Sequence, residues 1–333
     1  MGTEQKVMLV TGAGGFVGRH MVDLLCANGH QVRATDLPLA ARQPFPAGVE
    51  FMPSDITQAD QVGPLLQGVE RVFHIAAIFD YSAPEERLRR VNVIGTRNLV
   101  QAARAAGVKH FVYWSTGSVY GEHPLQTPTS EAYTPQPFVA YERTKYEGEL
   151  VCTEEQRRGL PVTIIRPASI YGPGSLYAIG TLLQSMRRGL VKIVPGSGQA
   201  RGAYVHVEDV CRAALFLSEH AAGADVFNVA DDSAYTMNEL LKFLAGQLQV
   251  RPPVVSVPAS VLKAAGWALH IASKVTGRRP LLERDTIHYF LYDHLMDNSK
   301  IKSLGFQFKW PDTLAGMKDL VSSYAGNAAV RAS

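Results

Sequence analysis

One short stretch constrains this chain more than any other. Thr11-Gly12-Ala13-Gly14-Gly15-Phe16-Val17-Gly18 joins an apolar run, Lys6–Thr11, to a helix-period segment, Gly15–Asn28, that Gly29 stops. Gly12 permits the tight turn out of a buried strand, Gly15 lets the backbone approach a pyrophosphate, and Gly18 lets the helix pack closely on the strand. The first N–H groups of such a helix face the turn and favour phosphate. A glycine-rich turn by itself can be no more than a turn. Here strand, turn, helix and a second strand, Gln31–Thr35, follow in order, which reads as a dinucleotide-binding unit.

The first half of the chain continues that alternation. Val49–Met52, Arg71–Ile75, His110–Ser115 and Val162–Arg166 read as further strands, and Arg87–Ala106 and Tyr141–Arg158 as helices ended by Gly107 and Gly159. This predicts an α/β protein, a Rossmann-type doubly wound parallel sheet that binds ligands at the carboxyl ends of its strands. After Pro167, Gly172-Pro173-Gly174 and Pro195-Gly196-Ser197-Gly198 mark loops, with helices expected at Leu182–Arg188, Glu208–Glu219, Met237–Gln247 and Ala259–Lys274. The expected division is a nucleotide-binding domain over 1–167, a smaller mixed substrate region over 168–325 partly interleaved with the sheet, and a frayed tail over 326–333.

The 333 residues carry 33 Lys and Arg against 30 Asp and Glu, a formal net charge of +3, which gives no footprint for nucleic acid. Cys26, Cys152 and Cys211 are far apart and match no CxxC or Cys/His spacing, so neither a disulfide framework nor a structural zinc is expected. His74 reads as a satisfied core residue; His206 beside Glu208 and Asp209 does not make a metal site, and His288 and His294 read as surface or pocket-lining. No metal is assigned. No stretch is apolar for the roughly 20 residues a spanning helix needs, and no targeting segment precedes the first strand, so a cytoplasmic location is expected.

Asp36 ends the second strand, 18 residues after Gly18. A carboxylate there accepts hydrogen bonds from the adenosine ribose and repels a 2′-phosphate, which favours NAD over NADP. The competing structural reading is a turn cap, since Leu37-Pro38 follows. Arg33 and Arg42 could accommodate NADP, but neither directly follows Asp36.

Joined to Tyr141-Glu142-Arg143-Thr144-Lys145, these residues resemble the extended short-chain dehydrogenase/reductase superfamily, the NAD-dependent epimerase/dehydratase family. The resemblance covers most of the chain: TGAGGFVG at 11–18, Asp55-Ile56, HIAA at 74–77, VNVIGTRNL at 91–99, STGSVYG at 115–121, YERTK at 141–145 and RPASIYGPG at 166–174. It implies a cofactor site made by Gly12, Gly15, Phe16, Val17, Gly18 and Asp36, with Asp55 and Ile56 near adenine. It also implies Ala76 and Ala77 along the cofactor backbone, Asn92 supporting the strand ends, and Arg166, Pro167 and Ser169 beyond the catalytic helix. By the same resemblance Lys145 holds the nicotinamide ribose, and a homodimer forms through helices Arg87–Ala106 and Tyr141–Arg158.

The chemistry has its own logic. Tyr141 and Lys145 are i and i+4, on one helix face. A phenol with an ordinary pKa of about 10 is a poor base at neutral pH, and a nearby ammonium together with the positive nicotinamide favours phenolate. Family spacing, 25 residues back from Tyr141, lands on Thr116 as the hydroxyl that steadies the substrate oxygen; Ser115 and Ser118 are neighbouring candidates. Without the glycine turn, Tyr141 and Lys145 would read as a surface pair on a charged helix.

Two enzyme branches compete. RGAYVHVEDV at 201–210 resembles the diphosphate-binding segment of nucleotide-sugar epimerases and dehydratases, with one extra residue after Arg201. VPASVLKAAGWALHIASKV at 257–275, RPLLERDTIHYF at 279–290 and DNSKIKSLGF at 297–306 look like the 3β-hydroxysteroid and sterol dehydrogenase branch. That order favours an NAD-dependent dehydrogenase acting on a secondary alcohol or ketone of a lipophilic ring, with Ser118, Tyr177 and Arg201 on the substrate side. The apolar helix serves equally as core or dimer face, or rests on a membrane surface through 257–280 with Lys274, Arg278 and Arg279 at its end. A non-catalytic NAD-binding scaffold is the remaining alternative.

Overall fold

The computed structural model describes residues 6–38, 44–175, 177, 179–221, 225–276 and 284–330. Arg42, Arg278 and Arg279 lie outside them, as does the side chain of Lys274. The first half runs β1 (Val7–Thr11), α1 (Phe16–Ala27), β2 (Gln31–Thr35), β3 (Glu50–Phe51), α2 (Ala59–Val62), β4 (Val69–His74), α3 (Glu85–Arg89), α4 (Thr96–Ala105), β5 (His110–Trp114), α5 (Ala140–Arg157) and β6 (Val162–Pro167). The second half adds β7 (Ser169–Tyr171), α6 (Ile179–Arg187), β8 (Ile193–Pro195), β9 (Tyr204–His206), α7 (Val207–His220), β10 (Asp225–Val229), α8 (Met237–Leu248), β11 (Val255–Val257), α9 (Ala259–Thr276), α10 (Ser299–Ser303) and α11 (Thr313–Val330).

Seven strands form one parallel sheet in the order β10-β6-β5-β4-β1-β2-β3, a Rossmann arrangement. The order reverses beside β1, whose last residue, Thr11, lies level with Thr35 of β2 and His74 of β4. Strand residues alternate between faces. Met8 and Val10 join a cluster with Met21, Leu25, Cys211 and Leu217 of α1 and α7, while Val7 and Leu9 join Leu99, Ala103, Val151 and Cys152 of α4 and α5. A third cluster, built on α6, α8 and α11, belongs to the second half.

The sheet draws β10 and α7 from beyond Pro167. The sequence does not announce β10, because Asn228 interrupts its apolar run. That side chain is fully buried yet satisfied: its Oδ1 accepts the Tyr120 hydroxyl at 2.7 Å, and its Nδ2 donates to the carbonyls of Thr129 and Asp297. The three-residue pairs β7–β9 and β8–β11, the short α2 and α10, and α11 are likewise unannounced. α11 carries helical backbone through Val330, inside the stretch expected to fray. Among the described residues no helix is long and apolar enough to cross a membrane.

Candidate active site

The glycine turn leaves β1 through Gly12 at φ +67°, and a Cβ there would meet Cα and N of Ala76 at 2.8 Å. Thr11 Oγ1 accepts Ala76 N–H at 3.2 Å, which draws the β1 and β4 ends together. A Cβ on Gly18 would come within 2.0 Å of the Gly12 carbonyl, so α1 packs directly on the turn. α1 begins at Phe16 with no side-chain cap at Gly15 and no acidic residue in its first turn. Its first N–H groups are therefore offered to an anion rather than to the protein's own carboxylate. Asp36 Oδ2 accepts Gly14 N–H at 2.9 Å and Oδ1 accepts Leu37 N–H at 2.7 Å. The carboxylate is thus both the turn cap and a brace for the glycine loop, and burial raises its pKa.

These features fit the pyrophosphate and ribose of a dinucleotide: a bare-backbone cradle, an uncapped helix start and a carboxylate beside them. Asp55 Oδ1 accepts Thr57 N–H, and buried Ile56 lies against Gly95, where an added Cβ would meet it at 2.9 Å. Ala76 is half-buried and Ala77 exposed at the end of β4. His74 is a satisfied core residue: its ring meets Thr11 at 2.7 Å and Thr96 at 2.9 Å, and burial lowers its pKa to about 3.

Between α3 and α4 the chain forms one π-helical stretch, Arg90–Gly95. Such a bulge re-aims side chains within a continuous helix. Asn92, inside it, accepts Ile78 N–H at 2.8 Å through Oδ1 and donates to Thr144 Oγ1 at 3.2 Å. It ties the loop after β4 to α5.

α5 carries Tyr141 in its first turn and Lys145 one turn on; both are buried. Lys145 Nζ lies 4.4 Å from the centroid of the Tyr113 ring, and burial lowers its pKa to about 8. Burial is also the largest influence on Tyr141 and raises its pKa; Tyr81 raises it further, while a hydrogen bond with Thr116 opposes this. The expectation of a lowered phenol pKa concerns the site with its cofactor bound; in the protein alone burial dominates at Tyr141 and raises its pKa. Thr116 Oγ1 meets Ser118 Oγ at 2.7 Å and accepts Ser118 N–H at 3.2 Å. Ser115, the other neighbouring candidate, instead directs its hydroxyl to Glu149 inside the protein.

The assignment of the Arg166 side chain to the cofactor is also corrected. Its guanidinium donates to both oxygens of Glu149 and to the Tyr120 hydroxyl, all buried. Pro167 ends β6, and Ser169, exposed, begins β7 with its N–H on the Ala203 carbonyl. Arg201 donates Nε and Nη2 to Asp293, which countercharges it.

Tyr141 sits in an aromatic cluster in which Tyr177 was expected on the substrate side, while Phe79, Tyr81 and Tyr289 were missed by sequence reasoning. The rings of Phe79 and Tyr81 lie 5.1 and 5.2 Å from that of Tyr141, and Tyr177 packs edge-on to Phe79 at 5.6 Å. Tyr289 reaches the same cluster from the second half through Tyr81. The signal for Phe79 and Tyr81 was their place directly after HIAA; Tyr289, 148 positions from Tyr141, had no local signal.

Residues 8–230 match the NAD dependent epimerase/dehydratase family. Among curated relatives, 3beta-hydroxysteroid-dehydrogenase/decarboxylase isoform 1 of Arabidopsis thaliana is 31% identical, covering 96% of this chain and 80% of its own. The 3 beta-hydroxysteroid dehydrogenase/Delta 5-->4-isomerase of Mycobacterium tuberculosis is also 31% identical, covering 92% of this chain and 87% of its own. Among solved structures, the UDP-glucose 4-epimerase of Thermotoga maritima superposes with a TM-score of 0.80 at 27% identity, covering 97% of this chain and 99% of that one.

Proposed function

The chain belongs to the NAD dependent epimerase/dehydratase family, and on that premise we propose that it is an oxidoreductase for a secondary alcohol or ketone on a lipophilic, hydroxysteroid- or sterol-like ring, with Tyr141 as its acid/base. The observation that carries this reading is the packing of Phe79 and Tyr81 against Tyr141, with Tyr177 stacked edge-on behind Phe79. Such a surface suits a flat apolar ring. The 3beta-hydroxysteroid dehydrogenase relatives point the same way.

Bound NAD supplies the hydride acceptor for oxidation and, reduced, the donor for reduction. The glycine turn and the start of α1 would hold its pyrophosphate, and Asp36 its adenosine ribose. Thr116 and Tyr141 hold the substrate oxygen. In reduction the buried neutral phenol donates its proton to the forming alkoxide. In oxidation it takes the hydroxyl proton, and for that the positive charge of Lys145 and of the oxidised ring must offset the desolvation that holds Tyr141 protonated.

The second reading, a nucleotide-sugar epimerase or dehydratase, draws support from the shared architecture with the Thermotoga maritima enzyme. The Arg201–Asp293 pair weighs against it, since a diphosphate would have to compete with that carboxylate. A scaffold role is disfavoured by the presence of both Tyr141 and Lys145. NADH formation from a 3β-hydroxysteroid, with no epimerisation of UDP-glucose, is the expected result; the reverse outcome selects the second reading.

We also infer a homodimer through the α4 and α5 side of the sheet. Ile94 and Leu150 are exposed there beside a groove of about 370 Å³ that also includes Val93 and Val151. Light scattering at micromolar concentration should give twice the chain mass; a monomer would refute it.

A further inference from the structure

Glu142 follows Tyr141 directly, and its side chain is completely buried. Its Oε2 accepts the N–H groups of Phe138 and Val139 at 2.8 and 3.3 Å, closing the start of α5. Capping explains that oxygen. It does not explain the other one, since capping carboxylates sit at the surface without loss and a buried carboxylate is costly to desolvate. Oε1 accepts the hydroxyl of Tyr289 at 2.7 Å. Tyr289 belongs to a 3₁₀ turn, Arg284–Phe290, in the second half of the chain, 147 residues away.

The bond fixes a direction. A carboxylate at the end obliges the Tyr289 hydroxyl to donate to it, and the Tyr289 oxygen then accepts the Tyr81 hydroxyl at 3.4 Å. The Tyr81 ring in turn lies 5.2 Å from that of Tyr141. Behind Glu142 the ring of His288, itself buried, packs against Phe138, with Nε2 3.9 Å from Glu142 Oε1. The carboxylate therefore holds Tyr289, from the second half of the chain, and through it Tyr81, against the start of α5.

We infer that Tyr289, held by Glu142, is a specificity-determining residue of the Tyr141 site, setting the wall against which the far rings of a flat lipophilic alcohol lie. This rests on the lipophilic-ring reading above. Tyr289 positions substrate beyond the reacting carbon, so it matters for a multi-ring alcohol and not for one that ends at the carbinol ring.

The test compares NAD-dependent oxidation of a 3β-hydroxysteroid with that of cyclohexanol. Tyr289→Phe should raise KM for the steroid about tenfold, the scale of one hydrogen bond to a charged group. It should leave kcat within twofold and kcat/KM for cyclohexanol unchanged. Glu142→Gln, which replaces the charged acceptor by a neutral amide, should give part of this selective loss, and the double variant should be no worse than Tyr289→Phe alone. Tyr289→Leu, which removes ring and hydroxyl together, carries the comparison if Glu142→Gln does not fold, and should raise KM for the steroid at least as much. Equal losses on both alcohols, additive losses, or no loss on the steroid would overturn the inference while leaving the lipophilic-ring reading intact. A wild-type protein that oxidises cyclohexanol but not the steroid would overturn that reading, and this inference with it.

Discussion

Both oxygens of Glu149 accept from Arg166, at 2.9 Å from Nε and 2.6 Å from Nη2, two helical turns beyond Tyr141 on α5. The pair joins the catalytic helix to β6 through charges that are 95% or more buried. Tyr141, Lys145 and Glu149 are spaced i, i+4 and i+8, so the ion pair underlies the helix face that carries Tyr141 and Lys145. Removing one partner leaves the other buried and uncompensated. Arg166→Met is expected to lower the unfolding free energy by about 3–5 kcal/mol. Adding Glu149→Gln should recover part of that loss. Urea unfolding of the two variants checks both statements, and a double variant less stable than Arg166→Met would refute the argument.

Tyr141→Phe keeps the ring among Phe79 and Tyr81 and deletes only the hydroxyl. Turnover should fall roughly 10²–10⁴-fold, the range for a positioned acid/base. NAD affinity, measured by fluorescence titration, should stay within about twofold, because the proposed cofactor contacts lie chiefly at the glycine turn and Asp36. Near-wild-type turnover would remove Tyr141 from its role.

Lys145 gives the protein a particular pH dependence. Burial lowers its pKa from 10.5 to about 8 in the folded state. Between those values the unfolded chain binds more protons than the folded one, so this residue makes stability rise with pH across the window. Below pH 8 the buried ammonium is a standing penalty. Lys145→Met should therefore be more stable than wild type at pH 7, and should lose a rise of up to about 1.4 kcal/mol per pH unit between 8 and 10.5. Urea midpoints of the two proteins at pH 7, 8.5 and 10 test this. A parallel pH dependence in both would show that Lys145 keeps its ordinary pKa.

Asp36 should make NAD the better cofactor by tens- to hundreds-fold in kcat/KM, about 2–3 kcal/mol, through repulsion of a 2′-phosphate. Because Asp36 also braces Gly14, Asp36→Ala should narrow the preference and weaken NAD binding at the same time. Leu37→Arg added to it should favour NADP, since a guanidinium grips phosphate bidentately. Equal kcat/KM for both cofactors in the wild type would leave Asp36 as a turn cap alone.

Local rules determined much of this protein before any coordinates were known. The glycine turn, the alternation of strands with helices, and the i, i+4 spacing of Tyr141 and Lys145 are short-range patterns. Backbone sterics and helix periodicity act within a few residues, so the sequence displays them directly. The tertiary structure decided whatever depends on burial or on partners far along the chain. The Arg166 side chain faces Glu149, and Ser115 turns inward while Thr116 stays with Tyr141. Burial raises the pKa of the Tyr141 phenol. Asn228 fits inside a sheet because Tyr120 and two carbonyls satisfy it. The wall at Tyr289 depends on one bond between residues 147 positions apart. Such effects follow from which groups exclude water from one another, and that exclusion exists only once distant segments have packed together.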